Sequence, residues 1–441
     1  MRRSRAVTWA GPGAAVDGAA VWGLVTTESV EAIGGRYSCS ERGARASHRV
    51  NGPRYARGMS SFPGAGRLAG PTPPTGPGPR VPVASSLAGA LASGTLVLDG
   101  AMGTELQARG VDTSRTLWSA QALLDAPGAV TEVHAAYLAA GADVIETNSY
   151  QASVPALTDV GYDEAGARDL IASSARLALA AAGQAATARG GPAGTFGSAP
   201  GRSQGGGTSL EEGEGAGHPA PGERPRPFVA GALGPYGAFL ADGSEYTGAY
   251  EVSQSQLERV HRPRIEALAA QGLTVFALET MPRLDEARLV TTVLAQTAPG
   301  AECWVSFQVR PDGAHLADGT PLAQAAAWAD THPAVVAVGL NCVAPETVAR
   351  ALPVLRRSTA KPLVAYPNSG DSYDPVTKTW TPVRGTGRFT ALVPEWVEAG
   401  VRLVGGCCRT TPDDTAVLAG AIGAARGSTE DSDDFGDDLF R

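Results

Sequence analysis

Between residues 86 and 425 the chain alternates short apolar runs with longer segments whose apolar positions recur at helical spacing. The runs are Leu96–Asp99, Asp143–Asn148, Phe228–Gly234, Val275–Glu279, Trp304–Gln308, Val335–Cys342, Leu363–Asn368 and Arg402–Cys408. They hold β-branched residues and are too short for buried helices, so they predict strands. In the intervening segments, Val130, Val133, Tyr137 and Ala140 share one helical face. Thr411-Pro412-Asp413-Asp414 offers a cap, a first-turn proline and first-turn acids. Apolar strands joined by crossover helices make a parallel sheet that those helices cover. Eight such units predict an α/β fold, a (β/α)8 TIM barrel in one domain. An open doubly wound sheet is the competing architecture, but the first turn, Asp99-Gly100-Ala101-Met102-Gly103, is not a dinucleotide fingerprint.

Three stretches follow neither period. Residues 1–85 are rich in Arg, Gly, Ser and Pro, and predict a disordered arm in which Met59 is an alternative start. Residues 189–227, with Gly205-Gly206-Gly207 and Glu211-Glu212-Gly213-Glu214, predict a low-complexity insertion in a surface loop of the barrel. Residues 426–441 predict a solvated acidic tail.

Composition narrows the partners. The net charge is -8, and the arginine surplus of the arm leaves an acidic body without a basic stripe, which argues against nucleic acid. No stretch approaches the roughly 18 uninterrupted apolar residues of a membrane span. The basic start Met1-Arg2-Arg3-Ser4-Arg5 is followed by Gly11, Pro12, Gly13 and Asp17, which break a secretory signal. Five cysteines, two of them adjacent, do not make a disulfide framework, so a cytoplasmic location is expected. The oligomeric state is left open.

In a barrel the carboxyl ends of the strands build the active site. Here those ends carry Asp99, Asn148, Gly234, Glu279, Gln308, Cys342, Asn368 and Cys407-Cys408. Cys342, Cys407 and Cys408 could hold Zn²⁺ as three thiolates with the fourth tetrahedral position open, as in a catalytic site. Packed core thiols or a vicinal disulfide are the alternatives. Gly405-Gly406 would let the strand bend so that both neighbours reach one ion. Cys303 opens its run at the other barrel end and Cys39 lies in the arm, so neither is expected to join. None of the six histidines falls at a strand's carboxyl end, which disfavours metal-assisted hydrolysis. Lys361 and Lys378 are misplaced for a Schiff base.

A substrate thiol suits a thiolate-bound zinc, because coordination removes its proton at neutral pH. The excess negative charge then favours a cationic electrophile, such as a sulfonium methyl donor. Asp99 and Glu279 could hold an ammonium group, or could fix backbone amides at the strand ends. Gly100 and Gly103 would allow backbone to approach a ligand closely. Tyr150, Tyr236 and Phe239 could face the sulfonium or could simply pack.

Seven segments then carry a resemblance: Leu98–Leu106, Glu146–Ser153, Gly234–Tyr246, Glu279–Pro282, Gly339–Cys342, Tyr366–Gly370 and Gly405–Pro412. Over about residues 88–425 the chain resembles the homocysteine S-methyltransferase family. The loop after the third run and the Tyr-Pro-Asn-Ser-Gly segment look like the stand-alone bacterial and plant enzymes that use S-methylmethionine. The resemblance implies Zn²⁺ on Cys342, Cys407 and Cys408, and homocysteine held by Asp99 and Glu279, the latter meeting the amino group. Gly100, Asn148, Asn341 and Tyr236 are counted as further substrate contacts. The arm and the insertion depart from the family pattern without removing any of these residues. The expected reaction moves a methyl group from S-methylmethionine to L-homocysteine and forms methionine. S-adenosylmethionine, betaine or a methylfolate are alternative donors, although no folate or cobalamin domain fits outside the barrel. From another class, the alternative is a barrel that binds zinc or thiols without catalysis.

Overall fold

The computed structural model describes residues 86–115, 117–188, 226–374, 379–381 and 389–433. The expected arm lies outside these residues, as does the expected insertion apart from Arg226 and Pro227. Seven strands follow in chain order: β1 (Leu96–Val97), β2 (Val144–Glu146), β3 (Phe228–Leu233), β4 (Val275–Met281), β5 (Glu302–Phe307), β6 (Val335–Asn341) and β7 (Leu363–Tyr366). An antiparallel hairpin, β8 (Ser372–Asp374) and β9 (Thr379–Thr381), interrupts the loop before the last barrel strand, β10 (Val401–Val404).

The eight barrel strands are parallel and bond in the order β1-β10-β7-β6-β5-β4-β3-β2. A parallel bridge between Leu98 and Val144 brings the two ends of that sheet together, with Asp143 N donating to Val97 O at 2.7 Å. This closure, in sequential order, is that of a TIM barrel rather than an open doubly wound sheet.

Pleating sorts each run into two layers. Leu96, Leu98, Val144, Val275, Ala277, Trp304, Ala337, Val364 and Leu403 fill the interior. Their neighbours Val97, Ile145, Phe276, Leu278, Cys303, Val305, Val338 and Val404 pack outward against the helices. Cys303 is therefore a buried packing thiol, remote from the loop end of the strands.

A short helix not marked in the apolar pattern, α1 (Leu87–Ser93), closes the amino end of the barrel. Leu87 and Leu91 join the interior cluster. Its first turn is capped twice: Ser86 Oγ accepts from Gly89 N at 3.0 Å, and Glu302, at the start of β5, accepts from Leu87 N at 2.6 Å.

Other local signals read directly into structure. Val130, Val133 and Tyr137 are buried on the helix Pro127–Ala139. Asp414 Oδ2 accepts from both Thr411 N and Thr411 Oγ1 at 3.0 Å, capping the helix Pro412–Asp433. That helix continues past 425, where the acidic tail was expected to begin. Among the described residues no helix is long and apolar enough to cross a membrane.

All the barrel strands except β4, which runs on to Met281, end sooner than the apolar runs. β2 stops at Glu146 rather than Asn148, and β10 stops at Val404 rather than Cys408. Asn148, Cys342, Cys407 and Cys408 thus stand in the loops just beyond the strands, where pleat alternation no longer assigns neighbours to opposite faces.

Candidate active site

Cys342 follows β6 directly and takes a left-handed backbone, φ 53°. Cys407 and Cys408 follow the Gly405-Gly406 turn after β10, where Cys407 N donates to Pro367 O at 2.7 Å and Ser369 N donates to Cys408 O at 3.0 Å. The three sulfur atoms lie within 4.8 Å of one another, and Cys342 Sγ is 3.6 Å from Cys408 Sγ. All three are free thiols, so no vicinal disulfide joins Cys407 to Cys408, and Cys407 also packs against the interior cluster. Tetrahedral thiolates about 2.3 Å from zinc stand about 3.8 Å apart, close to the 3.6 Å between Cys342 Sγ and Cys408 Sγ, so the donor set suits one ion.

The three thiols perturb one another. Hydrogen bonds from Cys342 and Cys407 hold the Cys408 thiol well below the usual range. Hydrogen bonding to Cys342 and Cys408, followed by burial, pushes Cys407 well above it. A dication would supply the charge that lets all three ionise together.

The two glycines serve proximity rather than an unusual bend, since neither has a positive φ. A Cβ on Gly405 would lie 2.7 Å from Leu98 Cβ, and one on Gly406 would lie 2.4 Å from Thr410 Oγ1. Gly406 N donates to Asp99 O at 3.2 Å, stitching the cysteine turn to the end of β1.

The cysteines open onto a cavity of about 210 Å³ that Asp99, Glu146 and Glu279 also line. Asp99 is buried and its Oδ2 accepts from Glu146 N at 3.0 Å, so it braces a strand end and faces the cavity at once. Burial pushes Asp99 up to about 8, against the opposing pull of the Glu146 and Asp99 amides. Glu279 is also pushed up to about 8, by burial and then by the charges of Asp99 and Cys342. Glu146, which the pattern did not single out, is raised well above the carboxylate range by burial, then by Glu279 and Asp99. Its Oε1 has no hydrogen-bond partner. Two buried acids, Asp99 and Glu279, and the half-buried Glu146 resist ionising together and make a site for a cation.

The remaining expected contacts divide. Gly100 and Asn148 line the cavity, Asn148 Nδ2 donating to Ser119 O at 2.9 Å. A Cβ on Gly100 would fall 2.7 Å from Thr410 Oγ1, whereas one on Gly103 would meet nothing nearer than Ser119 Cβ at 4.0 Å. Asn341 and Tyr236 are not among the lining residues. Asn341 lies behind the wall, accepting from Thr280 N at 2.7 Å and donating to Thr280 Oγ1 at 2.8 Å. It thereby holds Thr280, whose φ is 57°, beside Glu279. Tyr236 packs with Phe239 and Tyr250, ring centroids 5.3 and 5.5 Å away, and its amide donates to the buried Glu286 at 2.6 Å. Of the aromatic residues considered from the sequence, Tyr150 lines the cavity, Trp118 and Tyr246 complete that wall, and the Tyr246 hydroxyl lies 3.8 Å from Cys342 Sγ. Glu245, beside it, completes the acidic lining and is pushed up to about 7, chiefly by burial. Both residues lie in the Gly234–Tyr246 segment that carried the resemblance, and position in that loop was the one available signal.

Residues 96–422 match the family model described as homocysteine S-methyltransferase. The chain belongs to the homocysteine S-methyltransferase family. This homocysteine S-methyltransferase is 40% identical over 324 residues to homocysteine S-methyltransferase YbgG of Bacillus subtilis, a match covering 74% of this chain and 93% of the relative. It is 42% identical to the homocysteine S-methyltransferase of Escherichia coli, over 73% of this chain and 94% of the relative. The metallated form of the homocysteine methyltransferase MmuM from Escherichia coli aligns with a TM-score of 0.60 at 40% identity, covering 74% of this chain and 96% of that one. The enzyme thus methylates a small-molecule thiol, homocysteine, and its three-cysteine cluster is suited to bind a metal ion.

Proposed function

We propose that this homocysteine S-methyltransferase holds Zn²⁺ on Cys342, Cys407 and Cys408 and takes its methyl group from S-methylmethionine. The observation that carries the reading is a set of three thiols spaced for one ion, opening onto a cavity walled by buried acids. An all-thiolate donor set favours zinc among common hard and borderline cations. When bound, zinc lowers the pKa of a homocysteine thiol and keeps its sulfur nucleophilic.

The chain's own residues do the rest. Asp99, Glu146 and Glu279 take the homocysteine ammonium, Glu279 most directly, and the backbone at Gly100 lets the amino acid approach closely. Asn148 ties the Ser119 wall to the end of β2, and Asn341 acts from behind by fixing Thr280. Trp118, Tyr150 and Tyr246 keep water from the reacting atoms. A bond forms between the homocysteine sulfur and the methyl carbon as the carbon–sulfonium bond breaks, and its electron pair stays on the donor sulfur. Both amino acids leave as methionine. Because thiolate and sulfonium neutralise each other, a shielded and aligned pocket favours the step over water. A cluster of free, reduced thiols suits a cytoplasmic setting.

Methionine formation from purified enzyme with each donor in turn, with and without a chelator, tests the reading. Cys342→Ala and Cys408→Ala are expected to lose both zinc and turnover. Full activity in a zinc-free preparation refutes the metal assignment, and transfer from S-adenosylmethionine or betaine but not S-methylmethionine refutes the donor.

A further inference from the structure

We propose that Glu245 is the specificity residue that reads the positive charge of the methyl donor. The inference rests on the sulfonium-donor reading above. Homocysteine brings one cation, its ammonium, and Asp99, Glu146 and Glu279 already face it. A sulfonium amino acid brings two more, and they require a counter-charge of their own.

Glu245 is placed to supply one. It sits on the turn Ser244–Tyr246 after β3, on a different element from the other three acids, and lines the same cavity. The residue is 5% exposed, and its Oε2 has no hydrogen-bond partner. Its neighbour Tyr246 reaches to 3.8 Å from Cys342 Sγ, so the turn stands against the place where a methyl group must arrive.

The turn is also built to keep the carboxylate there. Ser244 N donates to Asp242 Oδ1 at 3.0 Å, and Gly248 N donates to Ser244 O at 2.8 Å. The preceding helical turn presses so closely that a Cβ on Gly237 would lie 2.3 Å from Glu245 N. A buried carboxylate oxygen without a donor is costly, and a ligand cation is the compensation a cavity can offer. A neutral donor would leave that cost standing, so the residue selects by charge.

Glu245→Gln keeps the shape and removes the charge. The test compares KM for S-methylmethionine, KM for homocysteine, zinc content, and inhibition by the carbon isostere of the donor, in which a neutral CH replaces the sulfonium. The expected result is a rise of about tenfold in donor KM, with homocysteine KM, zinc content and isostere inhibition unchanged. Equal weakening of donor and isostere, or a rise in homocysteine KM in place of donor KM, overturns the proposal. Should Glu245→Gln fail to fold, Glu245→Asp serves: it retains the charge but withdraws it, and is expected to raise donor KM by less while preserving preference for the sulfonium over its isostere. An unchanged donor KM in Glu245→Asp then overturns the proposal. A wild-type enzyme that uses no sulfonium donor overturns the underlying function, whereas wild-type transfer with an indifferent Glu245 variant overturns this assignment alone.

Discussion

Replacing Gly406 with Ala places a methyl group 2.4 Å from Thr410 Oγ1 and 2.6 Å from both Thr410 Cβ and Cγ2. All three atoms belong to one β-branched side chain, so rotating it exchanges one clash for another. Thr410 is buried, and its hydroxyl donates to Cys407 O at 2.7 Å while accepting from Ala101 N at 3.3 Å. Relief therefore requires the backbone of the cysteine turn to move. Overpacking costs about 1–3 kcal/mol, and weakening two buried hydrogen bonds adds about 1 kcal/mol each. The expected loss is about 3 kcal/mol in urea denaturation, with a fall in metal retained after gel filtration because Cys407 shifts with its carbonyl. Gly103→Ala is the matched control, since its Cβ would have 4.0 Å of clearance within the helix Met102–Ala108. Its stability should change by less than about 1 kcal/mol, in the favourable direction set by helix propensity. If Gly406→Ala is as stable and as well metallated as the wild type, the close-approach explanation of this turn is wrong.

Two further outcomes follow from the buried acids and their supports. Burial raises Asp99 and Glu279 to about 8, so below that value the ligand-free carboxyls are largely protonated, and a bound ammonium must displace the protons. Inhibition by methionine, which has no thiol proton to lose, should strengthen as the pH rises from about 6 to about 8, and Asp99→Asn should flatten the profile. By the same linkage, raised folded-state values favour the fold at low pH, and that contribution is lost as the pH rises through about 8. A methionine profile that is flat or inverted removes the carboxylates from the binding step. Asn341→Ala strands Thr280 N and Oγ1 without their partner and should destabilise by about 2–3 kcal/mol, with a larger rise in homocysteine KM than in donor KM. Retention of wild-type stability in that variant would show that Thr280 finds another partner.

The architecture and the three-cysteine cluster were legible because they depend on what each strand end is made of. Eight apolar runs set the barrel, and thiols at two of its ends could only meet at its mouth. Asp99 and Glu279 were legible for the same reason, as charged groups at the ends of buried strands. Glu146 shares that placement, yet Asn148 two residues on drew the attention because the apolar run extends past the hydrogen-bonded strand. Glu245 and Tyr246 were not legible, since a loop's path decides which of its residues turn inward and no period marks that path. Tyr236 shows the converse error. An aromatic close after β3 suggested a cation face, but the buried carboxylate of Glu286 captures its backbone amide and turns the ring into a packing cluster. Gly103 and Gly406 were indistinguishable as sequence, and only the atoms around each separate the open position from the crowded one.

With Leu87 and Leu91 of α1 filling the amino end, the barrel is, among the described residues, a vessel that opens at its loop mouth. On the proposed function, metal, thiol and donor load through the loop mouth, and both product molecules leave by it. On the proposed function, an amino acid held at Asp99 and Glu279 and a donor arriving beside Cys342 share that one approach, so substrate entry and product release compete for it.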